Sequence, residues 1–336
     1  MIDPDWMPRM AQREDWLALV TEDIIDPARE IVDPHHHLWD RQGRIYEMGE
    51  LAADTGSGHN VVQTVYIECR SYWDTTGAEN LRPVGETKRV AEMAAGSDAK
   101  AQIAGIIGFA DLRDVGLDKV LVAHKAAGQG LLRGIRQSGA WDRDPDALAI
   151  VGRGVPEQYN DPDFRRGMAL LAEHGLTYDT WHYHHQADDF LALARAVPGT
   201  VMVLDHLSTP LGVGRFTGQR DVIFARWQDD MAALAECPNV RAKLGGLAMA
   251  DNGWGWQDRD VPPTSDEFVA AYGDWYHHMI GCFGPERCMF ESNFPVDRIS
   301  ISYHVLWNAF KKIAARYSEA EQAMMFAGTA RKVYGL

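Results

Sequence analysis

The feature that most constrains the fold is the stretch Ile31-Val-Asp-Pro-His-His-His-Leu-Trp-Asp40, an apolar approach that runs into three consecutive histidines. Ile31 and Val32 suit a buried strand. In an extended strand side chains alternate faces, so His35 and His37 point one way and His36 the other. Two imidazoles on one face can share a metal ion or a substrate. Apolar residues flank the run on both sides, which separates it from a terminal purification tag or a solvated His tract.

Seven more β-rich runs follow, at 61–68, 102–110, 130–136, 176–181, 200–205, 240–244 and 288–292, which with 31–35 makes eight. Helical periodicity fills the gaps at 86–95, 117–127, 164–174, 187–196, 221–237 and 265–283, and continues at 303–317 and 318–334. Asp161-Pro162 supplies the N-cap and first-turn proline of the third of these. Eight alternations of β and α predict one (β/α)8 TIM-type barrel over residues 31–336, with long strand-to-helix loops. Residues 1–30, with a short helix around 14–21, read as an extension packed on the barrel exterior. The 41–60 connection is long enough to suggest substrate contact through Tyr46. The insertion 251–264, rich in Gly, Trp and Pro, reads as a lid, a subunit contact or a plain crossover.

A formal charge of −15 argues against nucleic acid or an acidic membrane surface as partner. Four cysteines without CxxC spacing point to a reducing compartment. No basic-then-apolar leader is visible, and no apolar run reaches the roughly 18 residues of a membrane span. The expectation is a soluble cytoplasmic protein acting on a small molecule, with a homodimer through the Trp-rich insertion as a further expectation.

Such a barrel keeps its site at the C-terminal ends of the strands. Six of the eight ends carry ionisable residues: Asp33, His35 and His37; Glu68; Arg133 and Arg136; His182, His184 and His185; Asp205 and His206; Glu291 and Asp297. Imidazole with carboxylate suits zinc or another divalent metal, which polarises a carbonyl and acidifies bound water. The alternative needs no metal: an arginine fork holds a substrate carboxylate while His or Asp activates water. Arg136 serves either as that fork or as a salt bridge across the barrel mouth. Asp205 and His206 are adjacent, so only one should face the interior, and His206 is the expected one. Cys69 reads as a structural thiol.

With these residues in view, the chain resembles the amidohydrolase superfamily, in particular the branch that includes 2-pyrone-4,6-dicarboxylate lactonase and sugar-acid lactonases. The resemblance runs from about residue 20 onward. It rests on segments 32–40, Arg-Pro-Val-Gly-Glu-Thr (82–87), Arg-Gly-Ile-Arg (133–136), Leu-Asp-His (204–206), Lys-Leu-Gly-Gly (243–246) and Met-Phe-Glu-Ser-Asn-Phe-Pro-Val-Asp (289–297). It implies a distorted barrel that hydrolyses a C–O or C–N bond, most often a lactone. It places the family's metal-binding histidines on His35, His37 and His184, and its sixth-strand histidine on His206. Where the family's catalytic aspartate stands, this chain has Asn293. An amide is no general base, so Glu291 or Asp297 takes that role, or Asn293 only orients substrate.

The resulting expectation is a lactonase for a carboxylated or sugar-acid lactone. Asp297, Glu291, Asn293 and His206 are its catalytic residues, and Arg136, Tyr46, Trp39 and Glu68 contact substrate. At most one divalent metal, zinc or manganese, is expected, alongside a metal-independent alternative. A decarboxylase or hydratase on the same barrel, and a catalytically inactive binding barrel, are the other readings.

Overall fold

The computed structural model describes residues 13–41 and 44–336. Its eight principal strands are β1 (Glu30–His36), β2 (Asn60–Ile67), β3 (Gln102–Gly108), β4 (Leu132–Arg136), β5 (Thr177–Thr180), β6 (Met202–Leu204), β7 (Val240–Leu244) and β8 (Cys288–Phe290). Each pairs in parallel with the next, in sequence order. This is a nearly closed (β/α)8 barrel, and each of the eight strands overlaps one of the β-rich runs read from the sequence.

A helix follows each strand: Met48–Thr55, Val84–Ala95, Leu117–Ala127, Pro162–Glu173, Ala187–Ala196, Arg220–Ala235, Ser265–Phe283 and Tyr303–Ala314. The first corrects the expectation of an open 41–60 loop. Two short antiparallel strands, Trp39–Arg41 and Arg44–Tyr46, lead into Met48–Thr55, and Glu47 and Glu50 cap that helix reciprocally. With only eight residues, the helix leaves little periodicity to see in the sequence.

No ladder joins β8 directly to β1. The seam closes one step later, where the Asn293 N–H donates to the His35 carbonyl at 3.0 Å and the His37 N–H to the Phe294 carbonyl at 2.8 Å. Asp33 staples the same seam: its carboxylate accepts the Ser292 N–H at 3.0 Å and the Tyr303 hydroxyl at 2.9 Å. Burial raises the Asp33 pKa to about 6 against the pull of these donors.

The barrel floor is filled from the chain's other end. Val32, Val65, Ile107, Val203 and Met289 pack against Ala327, Ala330 and Tyr334 of the last helical segment, and Arg331 bonds Gln63 on β2 at 2.9 Å. Fully burying one such aliphatic side chain is worth about 1.5–3 kcal/mol. Residues 13–29 lie on the exterior. Arg13 donates to the carbonyls of Ile299 and Gln257 at 3.0 and 2.8 Å, and Glu22 accepts from the Ser265 hydroxyl at 2.6 Å. Residues 1–12, the first part of the expected extension, fall outside the described residues. No helix among the described residues is long and apolar enough to cross a membrane.

Candidate active site

Strand alternation does at β1 what the sequence requires. His35 and His37 share a face with their Nε2 atoms 3.3 Å apart, whereas His36 turns outward, edge-on to Tyr66 at 5.8 Å between centroids. His36 is fully buried without a ring hydrogen bond, so burial drives its pKa down to about 3 and it stays neutral. The Nδ1 of His37 lies 2.9 Å from the Ile67 carbonyl, which can only accept. That fixes the proton on Nδ1 and leaves a lone pair on Nε2. Burial holds both His35 and His37 well below the usual imidazole range, with positive Lys243 and His206 opposing Glu291 at His35, and Arg136 adding to the effect at His37.

Glu291 is the hub. Its two oxygens lie 2.7 Å from Nδ1 of His35 and 2.7 Å from Nδ1 of His206, and the His206 backbone N–H approaches the second at 3.2 Å. Burial alone would raise the Glu291 pKa, but the attraction of His206 and His35 outweighs it and takes the group down to about 2. Burial likewise opposes charge on His206, and Glu291 overrides it, so the His206 pKa is raised. With both oxygens engaged and a pKa this low, Glu291 orients two imidazoles and is a poor proton acceptor. From the neighbouring strand end, Gly246 (φ +71°) passes over His206 so closely that a Cβ would lie 2.2 Å from Nδ1. This explains the glycines of Lys243-Leu-Gly-Gly246.

The sequence expectation that only one of Asp205 and His206 faces inward is corrected. Asp205 ends β6 with its carboxylate 3.1 Å from Lys243 Nζ and 3.7 Å from His35 Nδ1. The chain then turns left-handed for four residues, His206 to Thr209, with φ from +39° to +61°. Extended alternation stops there, and both side chains reach the interior. Such backbone is costly for non-glycine residues, and it is held here by the Trp227 Nε1–H donating to the Leu207 carbonyl at 2.8 Å.

Beneath His35 lies a fully buried charge network. Lys243 Nζ is 2.8 Å from Asp179 and 3.1 Å from Asp205, and the Tyr334 hydroxyl donates to Asp179 at 2.6 Å. The two carboxylates outweigh the burial that disfavours the ammonium, so the Lys243 pKa is raised. The sequence reading gave Lys243 and Asp179 no role. The available signal was a lysine inside Val240-Arg-Ala-Lys-Leu244, since a charge inside a barrel strand needs a partner across the barrel.

Asn293 takes φ +55°, a conformation asparagine tolerates better than most residues. Its Nδ2 donates to Asp297 Oδ1 at 2.9 Å, while Asp297 Oδ2 accepts the Ala248 N–H at 3.0 Å. Burial raises the Asp297 pKa to about 7 in spite of these donors. An aspartate at 293 would set two carboxylates against each other, which gives a physical reason for the amide. Asp297 sits behind Asn293 and is fully buried, and Asn293 is the one of the two that lines the cleft.

Above these groups opens a cleft at the barrel mouth. His37, Trp39, Glu68, Arg136, His206 and Asn293 line it together with Arg41, Arg70, Phe109, Arg153, Trp181 and Met249. Arg136 is committed to the protein, with Nε on Glu68 Oε1 at 3.0 Å and Nη1 3.9 Å from Asp205. Two expected residues are placed elsewhere. Tyr46 is buried, with its hydroxyl on Asp54 at 2.7 Å and no part in the cleft lining, because the extra helix folds it into the exterior core. His184 leaves the strand in the short turn His184–Gln186, accepts the Leu211 N–H at 3.2 Å and packs on Phe216. The insertion after β7 anchors the rim: Asp251 accepts the N–H groups of Ala149 and Ile150 at 2.6 and 2.9 Å.

The donor set suits a divalent ion. Ligand atoms of His35, His206 and Glu291 lie within 4.8 Å of one another. The 3.3 Å between the Nε2 atoms of His35 and His37 matches the edge of about 3.3 Å expected between ligands of a tetrahedral ion with metal–nitrogen bonds of about 2.0–2.1 Å.

A parallel eight-stranded barrel with imidazoles and carboxylates gathered at its C-terminal mouth defines the chain as an enzyme of the barrel-hydrolase class. The amidohydrolase family profile matches residues 32–336, and the chain belongs to that family. It is 32% identical over 327 residues to an uncharacterized protein of Sinorhizobium fredii (90% of this chain, 98% of the other). It is 28% identical over 320 residues to an L-fucono-1,5-lactonase of Burkholderia multivorans (91% and 96%). A solved amidohydrolase of Burkholderia multivorans superimposes with a TM-score of 0.73 both with bound HEPES (25% identical) and with bound zinc (24%), each time covering 91% of this chain and 99% of that one.

Proposed function

We propose that the chain is a hydrolase that opens the ring of a carboxylated lactone. The observation that carries this is the Glu291 hub, whose carboxylate lies 2.7 Å from Nδ1 of both His35 and His206 beneath a cleft rich in arginine. Relationship to L-fucono-1,5-lactonases supports the reaction type.

His206, positive through Glu291 and lining the cleft, donates to the lactone carbonyl oxygen and stabilises the negative charge that develops there. The same proton then serves the ring oxygen as it leaves. The Nε2 lone pair of His37 accepts a hydrogen bond from the attacking water and takes its proton as the new C–O bond forms, while the ring C–O bond breaks toward the proton on His206. Lys243 neutralises Asp179 and Asp205, so that their negative charge does not favour a proton on His35. His35 with His37, and His206 with Glu291, are the residues that would hold a divalent cation; His206 would then be neutral, and the cation would supply Lewis-acid polarisation and acidified water in place of the His206 proton. We place the enzyme in a reducing, cytoplasmic setting, in keeping with its four free cysteines.

The test is a panel of carboxylated and neutral lactones followed by mass spectrometry. Gain of the mass of water is the expected outcome, and loss of carbon dioxide would assign a decarboxylase instead. His206→Gln should lower kcat by about 100-fold or more, as removal of an oxyanion donor does. Full activity in that variant would overturn the assignment.

A further inference from the structure

We propose that Arg70 and Arg153 form an anion subsite at the mouth of the cleft, which takes a substrate carboxylate remote from the carbonyl under attack. The word substrate rests on the lactonase reading; the subsite itself rests on the following geometry. Both side chains are exposed and both line the cleft. Among the described residues no carboxylate lies within 4.0 Å of either guanidinium, whereas Arg136 is held by Glu68 at 3.0 Å. A chain with 48 acidic and 33 basic residues has carboxylates to spare. Two arginines left without one, facing the same cleft, mark a place where the anion comes from the ligand.

Both arginines are built in. The loop after β2 takes left-handed backbone at Arg70 (φ +60°) and Tyr72 (φ +57°), conformations that non-glycine residues keep only where the surroundings enforce them. The enforcing group is Glu86, 1% exposed. Its Oε1 accepts the Tyr66 hydroxyl and the N–H groups of Cys69 and Ser71 at 2.8, 3.0 and 2.9 Å, and its Oε2 accepts Trp73 Nε1–H at 3.0 Å. The Arg70 guanidinium then lies 4.9 Å from the Phe109 ring centre and 5.3 Å from that of Trp73. Arg153 stands between two glycines clamped against an earlier part of the same connection after β4. A Cβ on Gly152 would lie 2.1 Å from the Ala140 carbonyl oxygen, and one on Gly154 2.2 Å from that of Gly139. Burial lowers the Arg70 pKa and Arg153 is the next largest cause, so the two cations sense each other. A carboxylate between them removes that repulsion and offers two oxygens to planar guanidinium forks.

Isothermal titration with isophthalate tests this, since a planar dicarboxylate has no bond for the enzyme to hydrolyse. Arg70→Gln and Arg153→Gln should each weaken binding by about 10-fold or more, the loss of one charge-assisted hydrogen bond. Neutral isophthalamide should change by less than about 2-fold, and isophthalate affinity should fall with added salt. Glu86→Gln, which leaves both guanidiniums in place but loosens the loop, should weaken isophthalate as well. The proposal is overturned by wild-type protein that does not bind isophthalate, by arginine variants that bind it as tightly as wild type, or by inorganic phosphate binding in its place. Titration needs no turnover, so the two readings fail separately. Arginine-dependent binding with no lactone turned over keeps the subsite and discards the lactonase. Turnover with arginine-independent binding does the reverse.

Discussion

Lys243→Met is the sharpest test of the charge network under the site. The lysine is fully buried and is the cation 2.8 Å from Asp179 and 3.1 Å from Asp205. Removing it leaves two carboxylates, with Glu291 close by, fully buried. Breaking a buried pair in this way costs about 3–5 kcal/mol. With an unfolding entropy of about 2.1 cal/mol/K per residue, this 336-residue chain should lose about 4–7 °C in Tm. The sign with pH follows from linkage. In the variant the stranded carboxylates titrate above their unfolded values, so the folded state binds protons that the unfolded state has released. The deficit should therefore be full at pH 8 and shrink as pH falls toward 5. Denaturant unfolding at the two pH values measures it. A loss below about 1 kcal/mol, or an equal loss at both pH values, would refute the reasoning. Adding Asp179→Asn and Asp205→Asn to Lys243→Met should restore most of the stability.

Three further outcomes are expected. Metal measured by inductively coupled plasma mass spectrometry in protein refolded with zinc should drop in His35→Ala and in Glu291→Gln; unchanged content would remove these residues from the ligand set. Asn293→Asp should lose about 1–3 kcal/mol near pH 8, since a donor to Asp297 becomes a second buried carboxylate, and the loss should ease on acidification; a neutral effect in urea titrations would mean that Asp297 finds another donor. Burial, with Glu68 nearby, raises Glu86 from 4.5 to about 7. Its folded form therefore keeps a proton that the unfolded chain loses, and stability from this group is full below pH 4.5 and is lost as pH rises through 7. Replacement by Gln should flatten the wild-type curve over that window by up to about 3 kcal/mol; parallel curves would contradict the pKa.

Much of the fold is legible in the chain because a parallel barrel repeats one local pattern. Most strands lie in β-rich, largely apolar runs and most of the helices after them show an amphipathic period, so local signals suffice to place them. The helix Met48–Thr55 escaped that logic because it is short and its start is marked by a reciprocal glutamate cap, where serine or threonine is the usual sign. In the site, period two correctly separated His35 and His37 from His36. The same rule failed at Asp205 and His206, where the backbone turns left-handed, and the ligand role that the resemblance gives His184 falls on a residue beyond the strand end at Thr180.

The sequence by itself determined the eight-fold alternation, the paired histidines at the first strand end and the family. Each depends on residues close together in the chain. Only the tertiary structure decided that Glu291 joins His35 to His206, that Lys243 answers Asp179 and Asp205, that Tyr334 closes the barrel from below, and that Arg70 and Arg153 line one cleft. Those partners are separated by 85 residues for Glu291 and His206 and by 155 for Tyr334 and Asp179. A buried charge signals that it needs a partner, but which residue serves is set by barrel closure and strand register, which no local pattern encodes.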